Sequence, residues 1–404
     1  MIDIKEYKPK ASKLTKNVAD KKYSIQFLPI QLENISTLKT LNYKGKKIKV
    51  SYLIDIIHNL ILKYYFKKDN MFNLSSLILK EKYGHNYNYY MDYLIENNHI
   101  ILFRNYLKGK HTKIYKLPES IIKGDIIRYK NSDKVLLKKY RSAIILIEKE
   151  NIESNKIPQD VKKKLVDDLF HIKIHFEKAI FFLDAIQQDF DIYNKNKYSV
   201  ECINDKQIFY HFDSYGRMHT NYTILKSFIR KNCLSIDGFD TIEFDIKNSQ
   251  PLFLCKLIQN GRILVDKNEF ELYKYLTYNG LFYQYIIDNS DYTDRKLVKD
   301  AIYKVFFGKN FKSKADTMFF RLFPTIYNLI KTFKKIHNDY KVLAHELQNL
   351  ESNLIFNKII KEIMYVAPDV RLITIHDSII CSQEHKEIVE KIFNNNLKKE
   401  FQIL

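Results

Sequence analysis

RKLVKDAIYKVFFG, residues Arg295–Gly308, is the stretch on which the reading of this chain turns. Steps of four put Arg295, Lys299, Tyr303 and Phe307 along one helical face that drifts slowly around the axis. Two cations followed by two aromatics make an odd surface. A core-facing helix does not begin its stripe with Arg and Lys, and a solvated helix does not end it with Tyr and Phe. A triphosphate against the basic turns, with a base and sugar stacked on the aromatic turns, accounts for both halves. The plainer alternative is an amphipathic helix with incidental cations.

Two carboxylates flank that helix in sequence. Asp245 ends a short apolar strand in IEFDIKNSQP (Ile242–Pro251). A carboxylate held at a strand end, beside exposed backbone carbonyls such as that of Ile246, is a good Mg²⁺ ligand, although such an Asp is commonly only a strand cap. Asp377 stands in LITIHDSII (Leu372–Ile380), where apolar residues flank a His-Asp-Ser tip. The pattern predicts a β-hairpin that exposes a second carboxylate, and a turn Asp is the ordinary reading of it.

Composition bounds the function classes. Lys and Arg outnumber Asp and Glu by 67 to 47, a formal net charge of +20. Such a surplus favours a polyanionic partner, because basic side chains release counterions from phosphate backbones; drift in a Lys-, Asn-, Ile- and Tyr-rich chain is the alternative. Cys202, Cys233, Cys255 and Cys381 are scattered without C-x-x-C spacing, so neither a disulfide scaffold nor a zinc cluster is expected. MIDIKEYKPKASK at the start has no apolar signal core. The most apolar stretch, Tyr52–Phe66, is interrupted by Asp55, His58, Asn59 and Lys63. No membrane partner is expected, and the expected location is cytoplasmic, in a reducing compartment.

Along the chain, 46% hydrophobic residues can bury a real core, and nine Gly and seven Pro leave mostly regular elements with short connections. Helices are expected over Lys49–Lys67, from an Asn73 cap to Lys82 with Gly84 closing it, and over Asn86–Asn97. Ile101–Tyr106 and His111–Lys116 follow as a hairpin. Three helices and a basic hairpin make residues 1–125 a winged-helix-like module for nucleic acid. Its contact face comprises Tyr87, Tyr89, Tyr90, Arg104, Lys108, Lys110 and Lys113, unless the module only packs against the remainder of the chain. Gln159 to about Tyr193 carries one long helical pattern with a Lys-rich wet face. Residues 126–200 form a helical connector.

From Tyr215 onward, about half the chain, the sequence resembles the family A DNA polymerases and their relatives, the single-subunit phage-type RNA polymerases. YGRMHTNYTILKSFIR resembles the segment before the first metal motif, which implies minor-groove contact near the primer end for Arg217 and a second basic position at Arg230. IEFDIKNSQP resembles motif A, with Asp245. RKLVKDAIYKVFFG matches motif B at every spacing: the triphosphate-binding Arg falls on Arg295, and the Lys proposed as acid to the pyrophosphate on Lys299. The aromatic positions fall on Tyr303 and Phe307. LQNLES resembles the later template-touching helix, with Gln348, and ITIHDS resembles motif C, with His376 and Asp377.

The resemblance implies an α+β fold, a polymerase right hand with an antiparallel palm sheet, helical fingers and a helical thumb. Palm is expected at 201–290 and 343–404, fingers at 291–342 and thumb at 126–200. It implies two Mg²⁺ ions, or Mn²⁺ in their place, held by Asp245, Asp377 and the Ile246 carbonyl. The partners are primer-template nucleic acid, DNA foremost, and a dNTP or NTP. The expected function is template-directed nucleotidyl transfer by a compact DNA polymerase of a phage or mobile element. An RNA polymerase or primase of the same fold is the alternative, and a DNA-binding replication initiator with an inactive palm is an alternative of another class. Family A DNA polymerases carry Glu five residues after the motif A Asp, where it excludes a ribose 2′-hydroxyl; here stands Gln250, bulky but uncharged. Ser378 after Asp377 is instead the RNA-polymerase-like residue. No D-x-E exonuclease pattern stands in a strand context, since Asp189 and Asp191 read as solvated charges, so no proofreading is expected.

Overall fold

The alternating segment TIEFD (Thr241–Asp245) pairs with the fully buried run SIICS (Ser378–Ser382) in a register that sets the centre of the fold. The structure, a computed structural model, describes residues 22–67, 69–107, 112–140, 157–186, 189–261 and 265–401. It is mixed α+β and divides into two units. The first comprises residues 1–151, 173–209 and 220–234; the second comprises 152–172, 210–219 and 235–404. No described helix is long and apolar enough to cross a membrane.

In the second unit, strands follow one another across an antiparallel sheet in the order Ile373–Ile375, Ser378–Ser382, Phe239–Asp245 and Leu234–Ile236. The central pair runs from Thr241 opposite Ser382 to Asp245 opposite Ser378. One hairpin turns at Asp237-Gly238, both at positive φ, the backbone that short hairpins require. The other turns at His376-Asp377, with His376 at φ +53°. The hairpin's base is tied to helix Gln159–Leu169 through buried Asp168. That carboxylate accepts from Leu372 N (3.0 Å) and ion-pairs with Lys164, while Lys164 Nζ also donates to the Val370 carbonyl.

Between the two sheet motifs lies a run of helices that includes Ser249–Gly261, Lys267–Tyr278, Arg295–Phe307, Pro324–Ile336 and Val342–Ser352. Asp294 caps the Arg295 helix by accepting from Lys296 N and Leu297 N. Its buried stripe is Val298, Ala301, Ile302, Val305 and Phe306, the three-and-four spacing of a core face. Phe306 packs edge-on against Phe319, 5.8 Å between ring centres. Behind Phe319 stand Phe323, Tyr273 and Phe282, at 5.2 to 6.0 Å from one another. Edge-to-face aromatic packing of this kind stabilises beyond its buried area. Helix Val342–Ser352 runs on without a break into a π-helical stretch, Asn353–Ile360, and then Lys361–Val366.

The first unit packs around helix Val50–Lys67, eleven of whose residues are buried. Strand Ser24–Pro29 pairs with Ile126–Asn131. Helices Ser76–Tyr83 and Tyr87–Glu96 accompany a three-stranded sheet in the order Phe72–Asn73, Ile114–Lys116, Ile101–Arg104. The second helix thus begins at Ser76 and not after Asn73, because Asn73 pairs with Ile114 in that sheet; Gly84 at φ +85° closes it as expected. The long helix expected over Gln159–Tyr193 does not exist. Helix Gln159–Leu169 ends, strand Ile172–Ile174 follows, and helices Phe176–Ala185 and Phe190–Asn204 come after. The β-branched Ile-Lys-Ile run supplied helix-like spacing and strand propensity at once, and the strand won.

Asp55 is fully buried in the first unit, and burial alone would raise its pKa. Lys82 at 2.8 Å and the hydroxyls of Tyr140 and Tyr83 outweigh that and hold it below the usual carboxylate range. One turn on, buried His58 accepts a hydrogen bond at Nδ1 from Phe27 N (2.9 Å), so the ring is neutral there. Burial pushes its pKa down to about 4 from 6.5. The stability it contributes is complete above pH 6.5 and is lost as pH falls through 4, because the unfolded chain takes up the proton first. Denaturant unfolding across this window should show a decline that includes about 3 kcal/mol from this ring, and His58→Asn should remove that share of the pH slope.

Candidate functional site

The chain leaves strand Phe239–Asp245 through Ile246 and Lys247, then turns at Asn248, whose φ of +53° redirects it into helix Ser249–Gly261. Ile246 N donates to the Asp377 carbonyl at 3.3 Å. That bond continues the sheet by one step, so Asp245 and Asp377 end adjacent strands. Both carboxylates line one cavity of about 620 Å³ within the second unit.

Across the cavity stands the Arg295 helix. Its four singled-out residues occupy the face beside the buried stripe: Arg295 and Lys299 exposed, Tyr303 and Phe307 half-buried, all four lining the cavity. Tyr303 and Phe307 lie 5.4 Å apart between ring centres. The Arg295 guanidinium sits 5.1 Å from the ring centre of Tyr283, and the Lys299 ammonium 5.7 Å from that of Tyr303. Neither cation forms a salt bridge among the described residues. Two cations held over aromatic faces, and not quenched by carboxylates, keep their charge for an anion.

This helix is anchored at its far end by a buried cation. Lys334 is 2% exposed, and its Nζ donates to the carbonyls of Val305 and Gly308, each at 2.8 Å. These are C-terminal carbonyls without intrahelical partners, where the helix dipole also favours a cation. Burial lowers the lysine's pKa to about 8.

Arg217 reaches the same cavity from a tight turn. Asp213 accepts from Tyr215 N and Arg217 N, each at 2.9 Å, and Gly216 supplies a φ of +86°. Burial pushes the Asp213 carboxyl up, but His219 and those amides outweigh it and hold the group below its ordinary range. The Arg217 guanidinium donates through Nε and Nη2 to Glu351 Oε1, at 2.9 and 2.6 Å. Gln348 and His376 line the cavity as well, and His376 makes a T-shaped contact with His219 at 6.0 Å.

Glu351 was not singled out in the sequence. It is 1% exposed, lines the cavity, and binds Arg217, Ser249 and Gln250 at once. Burial raises its pKa to about 7, opposed by Arg217 and aided by the Asp377 charge. The signal was present: Glu351 lies three residues after Gln348 in LQNLES, and i,i+3 places both on one helix face. Tyr283 was also missed; it is buried beneath Arg295, and burial raises its pKa.

Other expected contacts lie elsewhere. Arg230 belongs to the first unit, where it is 9% exposed and donates to the Leu225 carbonyl. Arg104 is exposed on strand Ile101–Arg104 of that unit, and Lys108 and Lys110 fall outside the described residues. Tyr90 is buried against Tyr52, 5.5 Å between ring centres, while Tyr87 and Tyr89 pack on the same core.

For a divalent cation the donor set is two carboxylates and the Ile246 carbonyl, all hard oxygens. The described residues contain no cluster of three or more His, Cys, Asp or Glu side chains placed to hold a metal. Mg²⁺ fits such a set, since it keeps water and substrate oxygens in its shell and needs only one or two carboxylates. Lys334→Met, which keeps volume but removes the donors, should lower unfolding free energy by about 2 kcal/mol or more, because two buried carbonyls lose their partner; thermal melts monitored by circular dichroism would register it.

Compared with known proteins, the chain matches no protein-family model and no curated sequence.

Proposed function

We propose that this protein is a template-directed nucleotidyltransferase, a compact DNA polymerase in which the second unit acts as palm and fingers. One observation carries the reading: Asp245 and Asp377 end adjacent strands on one cavity wall, and Arg295 and Lys299 line the same cavity, neither in a salt bridge among the described residues. Carboxylates and cations in one cavity suit a substrate that carries divalent cations together with phosphates.

In this reading Asp245, Asp377 and the Ile246 carbonyl hold two Mg²⁺ ions, or Mn²⁺ in their place. Such a pair stabilises the attacking and leaving oxygens of an in-line displacement. The primer 3′ hydroxyl loses its proton to solvent as its oxygen bonds the α-phosphorus, and the P–O bond between the α-phosphorus and the bridging oxygen breaks to release pyrophosphate. Arg295 and Lys299 bind the β- and γ-phosphates, and the Lys299 ammonium donates a proton to the leaving group. Phe307 and Tyr303 receive the base and sugar. Arg217 and Gln348 face the primer-template duplex. A winged-helix-like reading of residues 1–125 is supported by the succession of helices Val50–Lys67, Ser76–Tyr83 and Tyr87–Glu96 and paired strands Ile101–Arg104 and Ile114–Lys116, and the surplus of +20 supports nucleic-acid contact by the first unit.

Ribonucleotide use, as in an RNA polymerase or primase of this fold, is favoured by one feature. Ser378 donates its hydroxyl to Glu243 at 2.7 Å, so the residue after Asp377 is a small hydrogen-bonded serine.

Primer extension on a DNA template with Mg²⁺, comparing dNTPs with NTPs, tests the proposal. Extension should vanish with chelation, and Asp245→Asn or Asp377→Asn should reduce it by about a thousandfold or more while primer-template affinity persists. Lys299→Ala should lower the rate by about a hundredfold, and Arg295→Ala should act chiefly on nucleotide KM. A metal-dependent activity indifferent to both aspartates would end the reading.

A further inference from the structure

We propose that the first unit takes nucleic acid on its paired strands Ile101–Arg104 and Ile114–Lys116, and not on helix Tyr87–Glu96. It takes an unpaired strand there, by stacking a base on Phe103. The inference rests on the reading that this unit contacts nucleic acid, and it names the element and the form of the strand.

In a winged helix the third helix enters the groove. Here that helix carries the wrong charge for it. Tyr87–Glu96 contains no Lys or Arg. Asn88, Asp92 and Glu96 are exposed and follow one another at steps of four, so they share its solvent face. Lys44 ion-pairs with Glu96, while Asp92 forms no salt bridge among the described residues. Carboxylates pressed toward phosphates repel them, and like charges brought together suppress binding. The tyrosines that could have met bases are committed to the core: Tyr90 is buried, and Tyr87, Tyr89 and Tyr93 pack against the same cluster.

The paired strands have the opposite character. Residues 97–118 include no Asp or Glu, and they include Arg104, Lys108, Lys110, Lys113 and Lys116. Strand Ile101–Arg104 is the edge of its sheet. Leu102 packs on the core, and its neighbours Ile101 and Phe103 face the other way, as strand alternation demands. Phe103 is 54% exposed, and Tyr106 beyond the strand is 59% exposed. The Lys116 ammonium lies 3.7 Å from the centre of the Phe103 ring. Arg104 pairs with Ile114 across the ladder, which puts Lys113 at the same end. Both cations are exposed and form no salt bridge among the described residues. The platform is held at its other edge, where Phe72 and Asn73 pair with Tyr115 and Ile114 and Thr112 donates to Asn73 Oδ1 at 3.2 Å.

A ring in water, set among cations that no carboxylate answers, fits a polyanion with flat apolar faces. Phosphates of a strand meet Arg104 and Lys113, and a base lies on Phe103. That combination tolerates any sequence, because every base has a π-face. An intact duplex uses those faces in its own stack and leaves only base edges in its grooves, so Phe103 offers it nothing. The strand is therefore unpaired where it meets this sheet.

Fluorescence anisotropy tests this on the full chain, with a labelled oligothymidylate of about a dozen nucleotides and a blunt duplex of equal length. Phe103→Ala should weaken the single strand about tenfold and change the duplex by less than about twofold. Phe103→Leu, apolar but without a ring, should lose as much, and Phe103→Tyr should bind as wild type. Arg104→Ala and Lys113→Ala should each lower the slope of log affinity against log salt by about 0.7 on the single strand. Asn88→Ala should alter nothing. All these side chains are exposed, so each variant should melt with the wild type by circular dichroism. The inference is overturned by a Phe103→Leu that binds as wild type, by equal losses on strand and duplex, or by a loss in Asn88→Ala. It is also overturned if the wild type self-associates in sedimentation and Phe103→Ala abolishes that while strand affinity stays; the patch then belongs to a second copy. A wild type that binds neither oligonucleotide removes the nucleic-acid reading of the first unit together with this inference, whereas binding indifferent to the variants of these strands removes this inference only.

Discussion

The structure depends on the register between Phe239–Asp245 and Ser378–Ser382. Side chains alternate across a sheet, so a slip of one residue exchanges the two faces of a strand. Here that slip would take Asp245 out of line with the hairpin tip and turn the buried Ile379 and Cys381 toward the opposite face. The register is held by the ladder itself, by the Ile246 N–Asp377 carbonyl bond that extends it, and by the Ser378 hydroxyl on Glu243 across the two strands. The closeness of two acids far apart in the chain is therefore a by-product of strand pairing. Two carboxylates left to themselves would repel one another.

A second tension is distributed around the cavity. The described walls bring Asp245, Asp377 and Glu351 together with Arg217, Arg295 and Lys299, and the Arg217 guanidinium is bonded to Glu351. Glu351 is deep and paired, as buried charge demands. Arg295 and Lys299 are exposed and supported by aromatic faces, an arrangement that costs little desolvation and leaves them available. The site thus separates a structural charge pair, which holds the walls, from cations that are open to a ligand.

Much of this was legible from residue order because the signals were local. The four-residue steps in Arg295–Gly308 and the apolar flanks of Asp245 and His376-Asp377 are written into consecutive residues, and each formed the expected element. What was not legible came from distant partners. The stretch Gln159–Tyr193 has helical spacing throughout, and the strand propensity of Ile172–Ile174 is too short a signal to stand out against it. Glu351 sits in an unremarkable amphipathic run, and its importance arises from Arg217, Ser249 and Gln250, none of them near it in sequence. Lys334 likewise reads as one lysine of a wet helix face until the carbonyls of Val305 and Gly308 are found above it. Of these two buried hubs only Glu351 left a local trace, its i,i+3 spacing from Gln348.

The π-helical stretch Asn353–Ile360 follows directly on the turn that carries Gln348 and Glu351. Each residue of an α-helix advances the azimuth by about 100°, so a wide turn accommodates one residue more than a regular helix would. Leu354, Ile355 and Phe356 are all buried in succession within it. The wide turn acts as a phase shifter. It lets one continuous rod present Glu351 to the cavity at one end and a differently aimed apolar surface to the core at the other, and losing a single residue from it would rotate one of those faces out of place.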